Sequence, residues 1–274
     1  MKKGVIILGY AALILGAVSM LVPFFWMFSM SFMNDGQIFQ IPPSFIPHPF
    51  IFDNYIHIFQ KLPLAGYFFN SLFVSSVTTV FQVLFSAMAG YVFAKSTFKY
   101  KDIIFFVFLV TMMVPPQVNI IPLFFLMRNL GWIDTYQALI LPGIFGGFGV
   151  FMMRQWFQSL SGEIEDAARI DGCNYFSVFF KIALPMAVPA LVTLAIFTFI
   201  TTWNSFMWPL IVTNSDSVKT LPVALAQFKS SFREVTMWGE LTACSVLLSM
   251  PVIAIFLAGK KYFMSDILAG GIKE

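Results

Sequence analysis

The chain has 274 residues, of which 59% are hydrophobic, 18% aromatic and only 11% charged, with a formal net charge of +3. A soluble domain carries about 25% charged residues, so this composition, with a mean hydropathy of +0.84, describes an integral membrane protein. The small positive balance reflects a bias in the loops, given below, and implies no nucleic-acid partner.

Uncharged runs recur along the chain, and each reaches the roughly 20 residues that a spanning helix needs. They predict an all-α protein, residues 1–274 forming a single transmembrane domain, with six transmembrane helices at approximately 4–32, 66–94, 103–125, 135–157, 185–208 and 239–259. Backbone groups left unpaired in lipid are too costly for such runs to be loops. An outer-membrane barrel would need short segments of alternating polarity, and none is present.

Met1-Lys2-Lys3 ahead of the first run imitates a secretory signal. The run continues through Pro23-Phe24-Phe25-Trp26 with no small-residue cleavage site, which predicts a retained span. An N-terminus placed inside puts eleven Lys and Arg residues in the cytoplasm, among them Lys95, Arg154, Lys181 and Lys273. Five lie outside: Lys61, Arg128, Lys219, Lys229 and Arg233. This order obeys the positive-inside rule and places both termini in the cytoplasm. Cys173 falls in an inner loop and Cys244 in the last span, so neither a disulfide nor a metal site is expected.

After the first span, an outer segment at 35–61 carries Pro42, Pro43, Pro47 and Pro49, which rule out one long helix. His48 and His57 read as surface or packing residues. The second span bears Asn70, Ser71, Ser75, Ser86 and Gly90, whose small or hydroxyl side chains suit close helix packing. In the third, Pro115, Pro116 and Pro122 break the helix, a disruption tolerated where protein or a wet cavity satisfies the backbone. Gln117 and Asn119 beside that break are candidates for a polar pathway, with bundle packing as the alternative. The fourth span holds Gly143, Gly146, Gly147 and Gly149 and suits close approach and adjustment. The fifth ends in TTWNSFMWPLIV, where Trp203 and Trp208 read as interfacial anchors and Trp203 with Asn204 as a second pathway candidate. A long outer loop at 213–238 precedes the last span.

No charge sits in the middle of a span, which disfavours proton coupling. No phosphate-binding G-x-x-x-x-G-K-[ST] loop, G-x-S-x-G elbow or H-E-x-x-H motif occurs, so no catalytic or metal-binding residue is assigned. If transport is powered, the power comes from another polypeptide.

The charge is instead gathered at 163–189, EIEDAARIDGCNYFSVFFKIALPMAVP, within an inner loop at 159–184. Ser161 is placed to cap a helix whose acids fill its first turn. Gly172 suits the left-handed position that ends it. Asn174 is placed to cap a second helix, YFSVFFKI, and Pro185 suits the first turn of the fifth span. A short helix, a turn, an aromatic-rich helix and a span make a lever for a cytoplasmic partner; a solvated loop is the alternative.

The spacing from Asp166-Ala167-Ala168 to Gly172, and on to Ile182-x-Leu184-Pro185, resembles the EAA loop of bacterial ABC importer permeases. GWIDTYQALILP, FMMRQWFQSL, EDAARIDG, TTWNSFMWPLIV and KTLPVALAQF are similar to the carbohydrate-uptake permeases of MalG type. The resemblance implies a permease subunit of an ATP-driven importer of mono- or oligosaccharides in a bacterial or archaeal cytoplasmic membrane, surrounded by lipid. Its implied partners are a second permease, two ATPases that carry ATP and Mg, and an extracytoplasmic sugar-binding protein; the chain itself binds no cofactor. Docking then falls on Glu165 or Asp166, with Ala167, Ala168, Gly172, Phe176, Phe179, Ile182, Leu184 and Pro185 completing the coupling element. Ser161 stands where the family has proline, and the tail SDILAGGIKE departs from the family's glycine-rich end. A non-sugar solute, or a secondary transporter, are the competing functions.

Overall fold

The computed structural model describes residues 2–231 and 237–271, and side chains within 4–227 and 237–261. Arg233, Lys273 and the side chains of the tail therefore lie outside the described residues. Among the described residues every regular element is helical, as lipid demands of backbone that has no water to bond. In chain order the first are α1 (Lys2–Met30), α2 (Asp35–Ile38), α3 (Asp53–Lys61), α4 (Leu64–Lys95), α5 (Lys101–Met113), α6 (Ile120–Asn129), α7 (Tyr136–Ile140) and α8 (Gly147–Ser159). Then come α9 (Gly162–Ile170), α10 (Tyr175–Val178), α11 (Leu184–Met186), α12 (Val188–Trp203), α13 (Met207–Val212), α14 (Leu221–Ser231) and α15 (Trp238–Gly271). A π-helical turn, Phe179–Ala183, joins α10 to α11.

Four stretches are long and apolar enough to cross a membrane: Gly4–Met30, Leu64–Lys95, Tyr136–Ser159 and Trp238–Lys261. Two more come as bent pairs, Lys101–Met113 with Pro116–Asn129 at 93° and Tyr175–Met186 with Val188–Trp203 at 75°, giving six if each pair is one span. The first break falls at Val114 and Pro115, both extended, where proline disfavours helix in the residue before it. The second falls at Ala187, between Pro185 and Pro189. The expected fifth span at 185–208 thus differs from the helix found. α12 begins at Val188, with Pro189 rather than Pro185 in its first turn, and stops at Trp203; Trp208 belongs to the separate α13.

The chain divides into two compact units, 1–66 with 221–251 and 67–220 with 252–274. In the first, the proline-rich segment is ordered by side chains rather than by a long helix. Phe32 packs against Phe50, Phe52 and Tyr55, and buried Asn54 donates to the carbonyls of Ser31 and Met33 at 2.9 and 2.8 Å. Lys61 closes on Glu240 at 2.7 Å, with His57 Nδ1 at 3.2 Å from the same carboxylate. No cluster of potential metal ligands occurs among the described residues.

The second unit has its core where α4, α8 and α12 meet the π turn: Ala87, Tyr91, Met153, Phe157, Phe179, Ala183, Ala187, Ala190 and Leu194 are all buried there. Small residues set its spacing. A Cβ on Gly90 would stand 2.6 Å from the Met153 Cβ and 2.8 Å from the Arg154 backbone nitrogen, so α4 and α8 touch backbone to backbone.

Candidate functional site

The charged segment folds as a hairpin of α9 and α10, and its geometry is set locally. Ser161 Oγ accepts from the Glu163 N–H at 3.3 Å, capping α9 beneath the acids of its first turn. At the other end Gly172 has φ +84°. Its N–H reaches the Arg169 carbonyl, and the Cys173 N–H reaches that of Ala168, each at 3.0 Å. This is the paired closure that a left-handed residue permits after a helix. Asn174 then accepts from the Ser177 N–H at 2.8 Å and starts α10. The Arg169 guanidinium lies over the Tyr175 ring at 4.8 Å, binding the two arms of the hairpin together.

The two candidate acids face opposite ways. Asp166 is exposed. Glu165 is 6% exposed and turned onto α4, with Oε1 3.3 Å from Lys95 Nζ and Oε2 accepting from the Tyr91 hydroxyl at 3.3 Å. Lys95 also donates to the Leu160 carbonyl at 2.8 Å. Ala168, one turn from Glu165, is buried on the same side, whereas Ala167 is exposed.

The aromatics divide in the same way. Tyr175 and Phe176 are 67% and 76% exposed, while Phe179 is buried with its ring 5.1 Å from that of Tyr91. Ile182 and Leu184 are half-buried, Leu184 against the core, and Pro185 is exposed. The hairpin is therefore rooted through Glu165, Ala168 and Phe179, and presents Asp166, Ala167, Tyr175 and Phe176.

Tyr91 and Lys95 escaped the sequence reading. Lys95 was legible only as part of the inner-loop charge bias, and its spacing of one turn from Tyr91 on α4 was the signal available.

The pathway candidates do not gather into one site. Gln117 and Asn119 lie exposed in the 3-10 turn Pro116–Asn119 at the 93° break. Trp203 is 1% exposed, its ring edge-on to Phe68 at 5.5 Å and stacked on Phe199 at 5.8 Å. It is a core residue of its unit rather than an interfacial anchor. Asn204 ends α12 and is exposed. Trp208 donates its indole N–H to the Ala138 carbonyl at 2.8 Å. Trp203 and Trp208 line, with Ser71, Ser75, Thr202 and Thr220, a cavity of about 30 Å³. That is room for about one water molecule, not a sugar ring.

The segment 214–219 just after α13 is tied down. Asp134 accepts from the N–H groups of Asn214 and Ser215 at 2.7 and 2.9 Å. Asn70 donates to the carbonyls of Ser217 and Lys219, both at 3.0 Å. Asp216 Oδ1 accepts from Tyr67 and from Lys219 at 2.8 and 2.7 Å.

Broken apolar helices carrying a capped polar hairpin make this a multi-span membrane protein with one polar element set apart from its spans. Residues 82–267 match the family described as binding-protein-dependent transport system inner membrane component, and the chain belongs to that family. It is 37% identical over 267 residues to a probable ABC transporter permease protein, YurM, of Bacillus subtilis (strain 168), covering 95% of this chain and 86% of that protein. It is 40% identical over 228 residues to the arabinooligosaccharides transport system permease protein AraQ of the same organism, covering 83% and 80%. Its fold matches a chain in the crystal structure of a bacterial ABC transporter involved in the import of the acidic polysaccharide alginate. The TM-score is 0.82 at 26% identity, with 94% of this chain and 95% of that one covered. The chain is thus an ABC importer permease, a membrane-embedded and non-catalytic subunit.

Proposed function

We propose that this permease serves an importer of oligosaccharides, completing the pathway with a second homologous permease and receiving its drive from two cytoplasmic ATPases through 163–189. The sugar assignment rests on the likeness to the arabinooligosaccharide and alginate systems. ATP and Mg belong to the ATPases, and an extracytoplasmic binding protein delivers the sugar. Both termini and the hairpin face the cytoplasm of a bacterial or archaeal cell.

The observation that carries the coupling role is the division of the hairpin into a rooted and a presented face. Asp166, exposed beside Ala167 and Phe176, is the acid that docks; Glu165 is spent inside the chain. Gln117, Asn119 and Asn204 supply polar groups that a second permease would enclose, since the cavity beside Trp203 and Trp208 is too small for a sugar.

The test is uptake of radiolabelled arabinotriose by proteoliposomes holding both permeases, the ATPases and the binding protein. Uptake that requires internal ATP is expected. Sugar flux through this subunit alone would sink the importer reading, and ATP-dependent uptake of only a non-sugar solute would remove the sugar.

A further inference from the structure

The presented face of the hairpin accounts for docking, but not for the ion pair beneath it. Glu165 and Lys95 side chains are 8% and 14% exposed, in a chain where charge is scarce. Removing two charges from water is costly unless they are partnered, and here the partners come from two elements: Lys95 meets Glu165 Oε1 as an ion pair outside hydrogen-bond geometry, and Tyr91 donates to Oε2. Glu165 lies on α9. Tyr91 and Lys95 lie one turn apart at the end of α4 and therefore face the same way. Tyr91 holds both arms of the hairpin: its hydroxyl donates to Glu165, and its ring packs on Phe179 beyond the turn. Lys95 holds the entry as well, through the carbonyl of Leu160. By contrast, the hairpin continues covalently towards α12 through a π turn and a 75° bend at Ala187, a route with irregular backbone.

We propose that Glu165, Lys95 and Tyr91 are positioning residues that latch α9 to α4, so that displacement of the hairpin reaches the membrane through α4 as one rigid piece. The latch rests on the docking role given above, which stays with Asp166, and is a separate role held by different residues. α4 is also the helix that touches α8 backbone to backbone at Gly90, so a motion given to α4 is passed directly to a second span.

The test is made on the assembled importer in lipid, with Cys173 and Cys244 replaced and spin labels at Ile170→Cys on α9 and Val92→Cys on α4, both exposed in the native chain. The inter-label distance is measured without nucleotide and after trapping with ATP and vanadate, and retention of the ATPase is read by co-purification. The expected result is one distance in both states. Lys95→Met or Glu165→Gln should broaden or shift it by about 2 Å or more, the scale of helix displacement at moving interfaces, while the ATPase stays bound. The double variant should add nothing further, and Lys95→Arg should restore the native distance.

A native distance that changes on trapping, or variants that leave it fixed, would overturn the latch. So would loss of the ATPase from Lys95→Met, which would make the pair part of the docking surface. Asp166→Lys tests docking separately: if it still retains the ATPase, the docking assignment fails whatever the labels report.

Discussion

Gly172 shows how much one residue decides in this hairpin. A Cβ built there meets nothing within 4 Å, so its φ of +84° is the whole constraint. A side chain in that conformation costs about 1–2 kcal/mol, with asparagine and aspartate the best tolerated. Retention of the ATPase in pull-downs is therefore expected to fall in the order Gly172, Asn, Ala, Val; equal retention by Gly172→Val would show that the turn is not needed. At Asp216, the hydrogen bond from Lys219, then that from Tyr67, holds the carboxyl below its ordinary value. A depressed carboxylate stabilises the fold above its unfolded value and loses that contribution as pH falls through its folded one. Opening of the 213–220 segment, followed by amide exchange, should accelerate modestly below about pH 4, and Asp216→Asn should flatten that dependence. Caps and the turn glycine were legible in the sequence because they are local. The opposite facing of Glu165 and Asp166 was not: neighbours on a helix point about 100° apart, and only packing on Tyr91 and Lys95 selects which one turns inward.

Helix packing in the second unit depends on what is missing at Gly90. A larger residue must separate α4 from α8, because the atoms in its way are backbone and Cβ rather than a movable side-chain tip. Gly90→Leu is expected to destabilise the solubilised protein by about 1–3 kcal/mol, the scale of overpacking, read as a lowered midpoint of thermal unfolding. Lys61 and Glu240 offer a different test in the first unit, with side chains 29% and 4% exposed. Lys61→Met should cost less than the about 3–5 kcal/mol of a fully buried pair, because His57 stays beside the carboxylate, and pairing it with Glu240→Leu should recover much of the loss, since a buried carboxylate that has lost its lysine is worse than none. The sequence foretold the break at Pro115 and Pro116, because proline acts where it stands. It did not foretell that the fifth span bends at Ala187, where an α pattern and a π turn carry the same apolar residues.

On the scale of the whole molecule, membrane class was readable because lipid forces long apolar runs into helices; of the six expected spans, four are single long helices and two correspond to bent pairs. Partnership was readable from an absence of nucleotide-binding sequence together with a concentrated charged loop. The ionisable groups that enter span ends are already engaged: Arg154 lies over the Phe105 ring at 4.0 Å and Glu240 meets Lys61. With no proton relay in mid-span, uptake by ATP-loaded vesicles is expected to persist when a protonophore collapses the proton gradient. Uptake that stops while ATP remains high would point to a secondary transporter.

The turn that closes α9 places Cys173 directly after Gly172, half-exposed, while the other thiol of the chain, Cys244, is buried at 2% exposure. The wild-type protein thus carries its own chemical footprint at the hairpin. A membrane-impermeant maleimide should alkylate Cys173 in inside-out vesicles and spare it in right-side-out ones, and addition of the ATPase should slow the reaction.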